Sequence, residues 1–243
     1  MNPSPTSTPG KSDFLDAVRK GMLLGAVVLA LILPSRLMRH MPESAPVRLA
    51  DFGLMVPSPD VRHLANWTMD SRDHQDKSFI IVDKKGASVY VFDPAGRLQA
   101  AAPVLLGSAI GDDTVPGIGD KPIAQVLPEE RTTPAGRFVA EIGMNTRGED
   151  VVWVDYDSAV SMHRVLTSNP WEQRLERLNS PTVEDNRISY GCINVPRDFF
   201  ETVLSPVVRK GSGAIIYVLP ETRSLQAVFG SYDVEARLKV ARR

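Results

Sequence analysis

From residue 78 onward, apolar positions come in short runs of strand length, separated by glycine, proline and acidic turns. Residues 78–83 ("SFIIVD") and 87–93 ("ASVYVFD") are β-rich and split by "KKG", and "DPAG" then turns the chain into a third run over 97–106. A meander of three strands follows from this spacing. Three more strand segments are expected at "GRFVAEIG", "VVWVDYD" and "AVSMHRV", and a closing one at "GAIIYVLP". Between the two groups, residues 107–134 form a long Gly/Pro/Asp-rich segment, and loops of that length inside a compact domain often carry function.

Two segments have helical spacing instead. In "NPWEQRLERLNSP", Asn169 can cap, Pro170 sits in the first turn, and Leu175 and Leu178 are three apart. "PRDFFETVLSPVVRKG" starts at Pro196, puts Phe199, Val203 and Val207 on one face, and stops at Gly211. These elements predict a mainly β domain over 78–220, with two short helices packed on it. Residues 221–243 read as a peripheral extension with some helix.

Upstream, the pattern differs. Arg19 and Lys20 precede an uncharged apolar run from Gly21 to Ser35. As a helix it spans roughly 22 Å, against about 30 Å of hydrocarbon in a bilayer. Residues 1–40 therefore read as a secretory signal peptide or as a signal anchor extended by Leu37 and Met38, which would tether the rest to the inner membrane. Residues 41–77 read as a Pro-containing linker, with one short helix around "DVRHLANWTMDS".

Composition narrows the function classes. With 28 basic and 29 acidic residues and no basic run, nothing points to nucleic acid. Histidines 40, 63, 74 and 163 lack zinc-ligand spacing, and one cysteine excludes both an intrachain disulfide and a cysteine zinc cluster. No metal or cofactor is expected; Asp112, Asp113 and Asp120 resemble calcium ligands only loosely. The one cysteine, Cys192, lies in "NRISYGCINVP", where Gly191 leaves room for a backbone or a substrate to approach the thiol. An unassisted thiol of pKa ~8.5 is only a few per cent thiolate at neutral pH, so a catalytic role needs a base. His163 is the one histidine between residues 78 and 220, at the end of the run "AVSMH", where Ala159 and Ser161 share its face. A buried structural thiol and a hydrogen-bonding strand-end histidine are the bland alternatives.

These segments, in this order, resemble the L,D-transpeptidase (YkuD-type) catalytic domain. The family signature is a histidine followed, after a variable stretch, by Ser/Thr-His-Gly-Cys-hydrophobic-Asn/Arg; here His163 precedes "SYGCIN" (Ser189 to Asn194). "IIVDKKGASVYVFDPAGRL" resembles the opening hairpin, "TTPAGRF" the Thr-Pro-x-Gly-x-Phe segment, and "FFETVLSPVVRKGSGAIIYV" the closing helix and strand. The resemblance implies a β-rich mixed-sheet sandwich. Two departures stand out. Tyr190 replaces the usual histidine before Gly-Cys, and "NPWEQRLERLNSPTVEDN" lengthens the stretch between His163 and Ser189 to 25 residues.

By the same resemblance, the expected substrates are peptidoglycan stem peptides, as acyl donor and as amine acceptor, in the periplasm or cell envelope. Cys192 would be the nucleophile and His163 its base, since Tyr190 can hydrogen-bond through its hydroxyl but is no cation near neutrality. Ser189, Tyr190 and Gly191 are the oxyanion or orienting candidates; Asn194 and Arg187 are the substrate-binding candidates. For Ser189 and Asn194, roles in holding the turn stand beside chemical ones, and "TTPAGRF" reads as turn chemistry. Two rival functions share the residues: a cysteine hydrolase such as an L,D-carboxypeptidase, and a catalytically inactive wall-binding module.

Overall fold

The computed structural model describes residues 46–211 and 213–241. The signal or anchor expected over 1–40 lies outside them. No helix among the described residues is long and apolar enough to cross a membrane.

The fold is mainly β. Ten strands form among the described residues: β1 (Phe79–Asp83), β2 (Ser88–Phe92), β3 (Leu98–Pro103), β4 (Leu106–Gly107), β5 (Gly136–Met144), β6 (Asp150–Asp155), β7 (Val160–Arg164), β8 (Arg187–Ser189), β9 (Ile193–Val195) and β10 (Ala214–Val218). Eight make one mixed sheet in the order β3-β2-β1-β10-β5-β6-β7-β9, while β4 and β8 pair separately. The β1–β10 and β7–β9 pairs are parallel and the other pairs of the large sheet antiparallel. Leu105, just beyond β3, exchanges both backbone hydrogen bonds with Asn194 on β9 at 2.9 Å. That bridge links the last strand in the order to the chain leaving the first, so the sheet curls nearly into a barrel.

The near-continuous apolar runs of β1, β2 and β10 have a physical cause: both faces of these strands are covered. Ile80, Val82, Val89, Val91, Ile216 and Val218 point into one core, together with Val152, Met162, Ile193 and Val195 from the other half of the sheet. Phe79, Ile81, Tyr90, Phe92, Ile215 and Tyr217 point into a second core. The first core is closed by a helix over 197–210, here α3, through Phe199, Phe200, Leu204 and Val208. Its middle, Phe200–Leu204, widens to π geometry just ahead of Pro206, which has no N–H to give to a regular helix.

The second core is closed by residues expected to lie outside the domain. Helix α1 (Pro59–Ser71) starts where Ser58 Oγ accepts from the Val61 N–H at 3.3 Å, and it buries Val61, Leu64, Ala65, Trp67 and Met69. The helix expected inside the linker is thus present, but from residue 46 the segment belongs to the same compact unit as the sheet rather than spacing it from something else. Polar residues on α1 masked this in the sequence, because only its sheet-facing side is apolar. Val234 and Phe229 of the C-terminal segment pack on the same core. Helices Leu225–Phe229 and Val234–Ala241 therefore add to the two short helices foreseen, which are α3 and α2 (Arg174–Leu178).

Candidate active site

Register builds the site. On the parallel β7–β9 pair, His163 is opposite Asn194 and Met162 opposite Ile193. Side chains alternate along each strand, so Ser161 and His163 share a face, and Cys192 and Asn194 share the face beside it. The one cysteine and the one histidine of the 78–220 segment are thereby brought together.

The imidazole is oriented through its backbone. His163 Nδ1 lies 2.8 Å from the Arg164 carbonyl oxygen, which can only accept, so Nδ1 carries a proton and Nε2 is left as the ring nitrogen for the hydrogen bond with Cys192. Burial by itself pushes the Cys192 thiol up. The hydrogen bond and charge of His163, helped by Ser161, outweigh it and hold the thiol below its ordinary value. Burial likewise pushes His163 down, and the hydrogen bond and charge of Cys192, with the Arg164 carbonyl, lift it above its ordinary value. Opposite shifts in two contacting groups are what a thiolate–imidazolium pair produces. Ser161 Oγ lies 3.8 Å from Cys192 Sγ, and the thiol faces the Ala159 carbonyl at 3.7 Å.

The turn carrying the thiol is held by two hydroxyls, those of Ser189 and Thr133. Ser189 Oγ donates to the Cys192 carbonyl at 2.5 Å and accepts from the Gly191 N–H at 3.1 Å. This makes Ser189 a clamp on the turn and engages the Gly191 N–H, which was expected among the oxyanion donors. Thr133 Oγ1 donates to the Gly191 carbonyl at 2.8 Å and accepts from the Gly107 N–H at 2.9 Å. Gly191 has φ +128°, and a Cβ there would lie 2.9 Å from the Thr132 carbonyl oxygen. The room glycine provides is thus filled by the chain's own "TTP" segment.

Other candidates sit elsewhere. Tyr190 is 40% exposed, and its ring is covered by the Arg131 guanidinium 4.0 Å from the centroid. Arg187, expected to meet a substrate carboxylate, instead donates to both carboxylate oxygens of Glu221, from Nη1 at 3.3 Å and from Nη2, and donates to the Lys84 carbonyl at 2.9 Å. That pairing leaves its charge matched inside the protein, which corrects the expectation. Asp112, a loose calcium candidate, accepts from Lys84 Nζ at 3.0 Å, Thr222 Oγ1 at 2.5 Å, and the N–H groups of Glu221, Thr222 and Arg223 at 2.7, 2.9 and 2.8 Å. Its oxygens are already occupied, and together these bonds pin the 107–134 loop to residues 221–223.

Asn194, a candidate for substrate contact, is fully buried and bonded inside the protein. Its Oδ1 accepts from Arg174 Nη1 at 2.5 Å, and its Nδ2 lies 3.4 Å from His163 Nε2. Sequence reasoning missed Arg174; it placed Ser161 on the His163 face and Thr133 in a turn segment, without a contact to the cysteine turn for either. An arginine on a short amphipathic helix reads as solvated, and no local pattern shows that α2 folds back onto β9.

Beside the pair, His163 lines a cleft of about 470 Å³ whose wall includes Glu149, Asp150, Arg164, Arg197 and Glu201.

No family model matches the sequence, and no curated protein matches it. Among solved structures, the chain is similar to the catalytic domain of an L,D-transpeptidase from E. faecium, at 15% identity and TM-score 0.34, over 59% of this chain and 98% of that one. It is similar to an L,D-transpeptidase from Xylanimonas cellulosilytica at 13% identity and TM-score 0.34, over 59% of this chain and 60% of that one. It is also similar to the helical cell shape determining protein Pgp2 from Campylobacter jejuni, at 14% identity and TM-score 0.39, over 60% of this chain and 49% of that one. The match thus spans less than two thirds of the latter two proteins.

Proposed function

We propose that the chain is a member of the L,D-transpeptidase catalytic-domain family and acts as a cysteine acyl transferase on peptidoglycan stem peptides in the cell envelope. The observation that carries this reading is the Cys192–His163 pair, with the thiol lowered and the imidazole raised against the pull of burial. The ordered motifs from the opening hairpin to "SYGCIN" supply the substrate class.

In this mechanism the Cys192 thiolate attacks the carbonyl of the third residue of a tetrapeptide stem. The tetrahedral oxyanion is met by backbone N–H groups of the 190–192 turn, with that of Gly191 already engaged by Ser189. Collapse breaks the peptide bond to the terminal D-alanine, and the His163 imidazolium gives its Nε2 proton to the departing amine. An amine from a second stem then attacks the thioester, loses a proton to neutral His163, and releases the thiolate. A thiolate leaves readily once the amine has attacked.

Water in place of the amine would make the protein an L,D-carboxypeptidase or a related hydrolase. A wall-binding module that has lost catalysis has no use for a lowered thiol. The test is incubation of the protein with a disaccharide-tetrapeptide, followed by product separation. Accumulation of a 3–3 cross-linked dimer supports transfer, tripeptide without dimer replaces it with hydrolysis, and unchanged substrate contradicts both.

A further inference from the structure

Resting on the acyl-transfer reading, we propose that Arg174 is a positioning residue that acts through Asn194 to favour the neutral, proton-accepting form of His163. An arginine side chain has donors only, so the Asn194 oxygen must face it, at 2.5 Å. The Asn194 amide therefore turns its NH₂ toward His163 Nε2, 3.4 Å away. A donor aimed at Nε2 suits the lone pair of neutral imidazole and opposes the proton that the imidazolium carries there. Arg174 also brings a positive charge to the same side of the ring, which disfavours a second cation.

The setting makes this contact specific. Asn194 is fully buried, and the Arg174 side chain is only 10% exposed, its Nε also held by Glu172 at 2.5 Å. Arg174 sits at the start of α2, inside the segment that lengthens this chain between His163 and the cysteine turn. The other charges near His163 are largely matched already. Arg164 pairs with Asp150 at 2.8 Å and Glu201 at 3.0 Å, Arg197 with Glu201 at 3.2 Å, and Arg209 with Asp150 at 2.9 Å. Glu149 accepts from Asn145 Nδ2 at 2.8 Å. The thiolate of Cys192 pulls toward the imidazolium, and the Arg174–Asn194 relay pulls back. Once the thioester forms, the thiolate charge is gone and the relay dominates, which gives a neutral base when the acceptor amine arrives.

The test needs no substrate. The His163 ring is titrated by NMR, and Cys192 by thiolate absorbance near 240 nm, in the purified full-length chain and in Arg174→Met, Asn194→Ala, their double variant and Arg174→Lys. Arg174→Met is expected to raise the His163 midpoint by about half to one pH unit, a three- to tenfold change in its proton affinity. Asn194→Ala should do likewise, and the double variant should equal the larger single shift, because the two act in series. Arg174→Lys, which keeps the charge and a donor, should stay near the wild-type midpoint. An unmoved midpoint in Arg174→Met, additive shifts in the double variant, or a Lys shift as large as that of Met would overturn the proposal. A wild-type Cys192 titrating as an ordinary thiol would instead overturn the acyl-transfer reading itself.

Discussion

The Thr133 hydroxyl donates to the Gly191 carbonyl at 2.8 Å, so a residue 58 positions upstream fixes the backbone that presents the thiol. The same oxygen accepts from the buried Gly107 N–H at 2.9 Å, placing one side chain between β4 and the turn. Thr133→Val keeps the shape and removes both bonds. It is expected to cost about 1–3 kcal/mol, the range for leaving buried polar groups unsatisfied. Urea unfolding at neutral pH measures this, and Thr133→Ser should retain most of the stability.

Gly191→Ala combines φ +128° with a Cβ 2.9 Å from the Thr132 carbonyl oxygen. The turn must shift, and the thiol with it. Acylation of Cys192 should fall more than tenfold even though secondary structure is retained, consistent with the ~1–3 kcal/mol stored in such backbone and the sensitivity of chemistry to small displacements. Rates of adduct formation by mass spectrometry, beside circular dichroism of the same samples, check this.

His163 should govern the reactivity of the thiol. Its partner pulls Cys192 below the ordinary thiol value, so thiolate is present at pH values where a free cysteine holds its proton. Cys192 in turn holds His163 protonated above its usual range. The pair is therefore populated between the two steps, and activity should be bell-shaped, falling on the acid side as the thiolate is protonated and on the alkaline side as the imidazolium is lost. In His163→Gln, burial raises the thiol with only the weaker Ser161 contacts left to oppose it. Alkylation by iodoacetamide at pH 6.5 should then slow by about tenfold or more, in line with a thiolate fraction that drops tenfold per unit of pKa.

Away from the pair, Asp112 and Lys84 anchor the 107–134 loop from inside the protein, with side chains 1% and 0% exposed. Burial pushes the Asp112 carboxyl up, but bonds from Thr222, the Glu221 N–H and Lys84 hold it well below the usual carboxylate range. A depressed folded pKa gives stability that is present above the unfolded value of about 3.9 and lost as pH falls toward the folded one. Asp112→Asn should cost about 3–5 kcal/mol at pH 7, the range for breaking a buried pair, and should flatten the acid dependence of stability. Urea midpoints from pH 7 down to pH 3 test both parts.

Strands such as β1, β2 and β10 were legible in the sequence because burial on both faces leaves no polar position to blur them. Cys192 and His163 were legible because each is alone of its kind in the segment from 78 to 220. Strands β8 and β9 were not, since three residues each carry no period, and the cysteine segment reads as a turn. Helix α1 was foreseen as an element and misplaced as a linker, because proline spacing says nothing about what a helix packs against. Arg187 and Asn194 were expected to face substrate; the partners that bind them, Glu221 and Arg174, are 34 and 20 residues away, and no local pattern specifies such contacts.

The central claim is that Cys192, paired with His163, is the nucleophile of an acyl transfer. Its most direct test is the intact mass of the protein quenched within seconds of mixing with a disaccharide-tetrapeptide, beside Cys192→Ala and His163→Gln. The account predicts an adduct equal to the donor less D-alanine on the wild type, none on Cys192→Ala, and a slowed one on His163→Gln. An adduct of the same mass on Cys192→Ala, or none on a folded wild type, would contradict it.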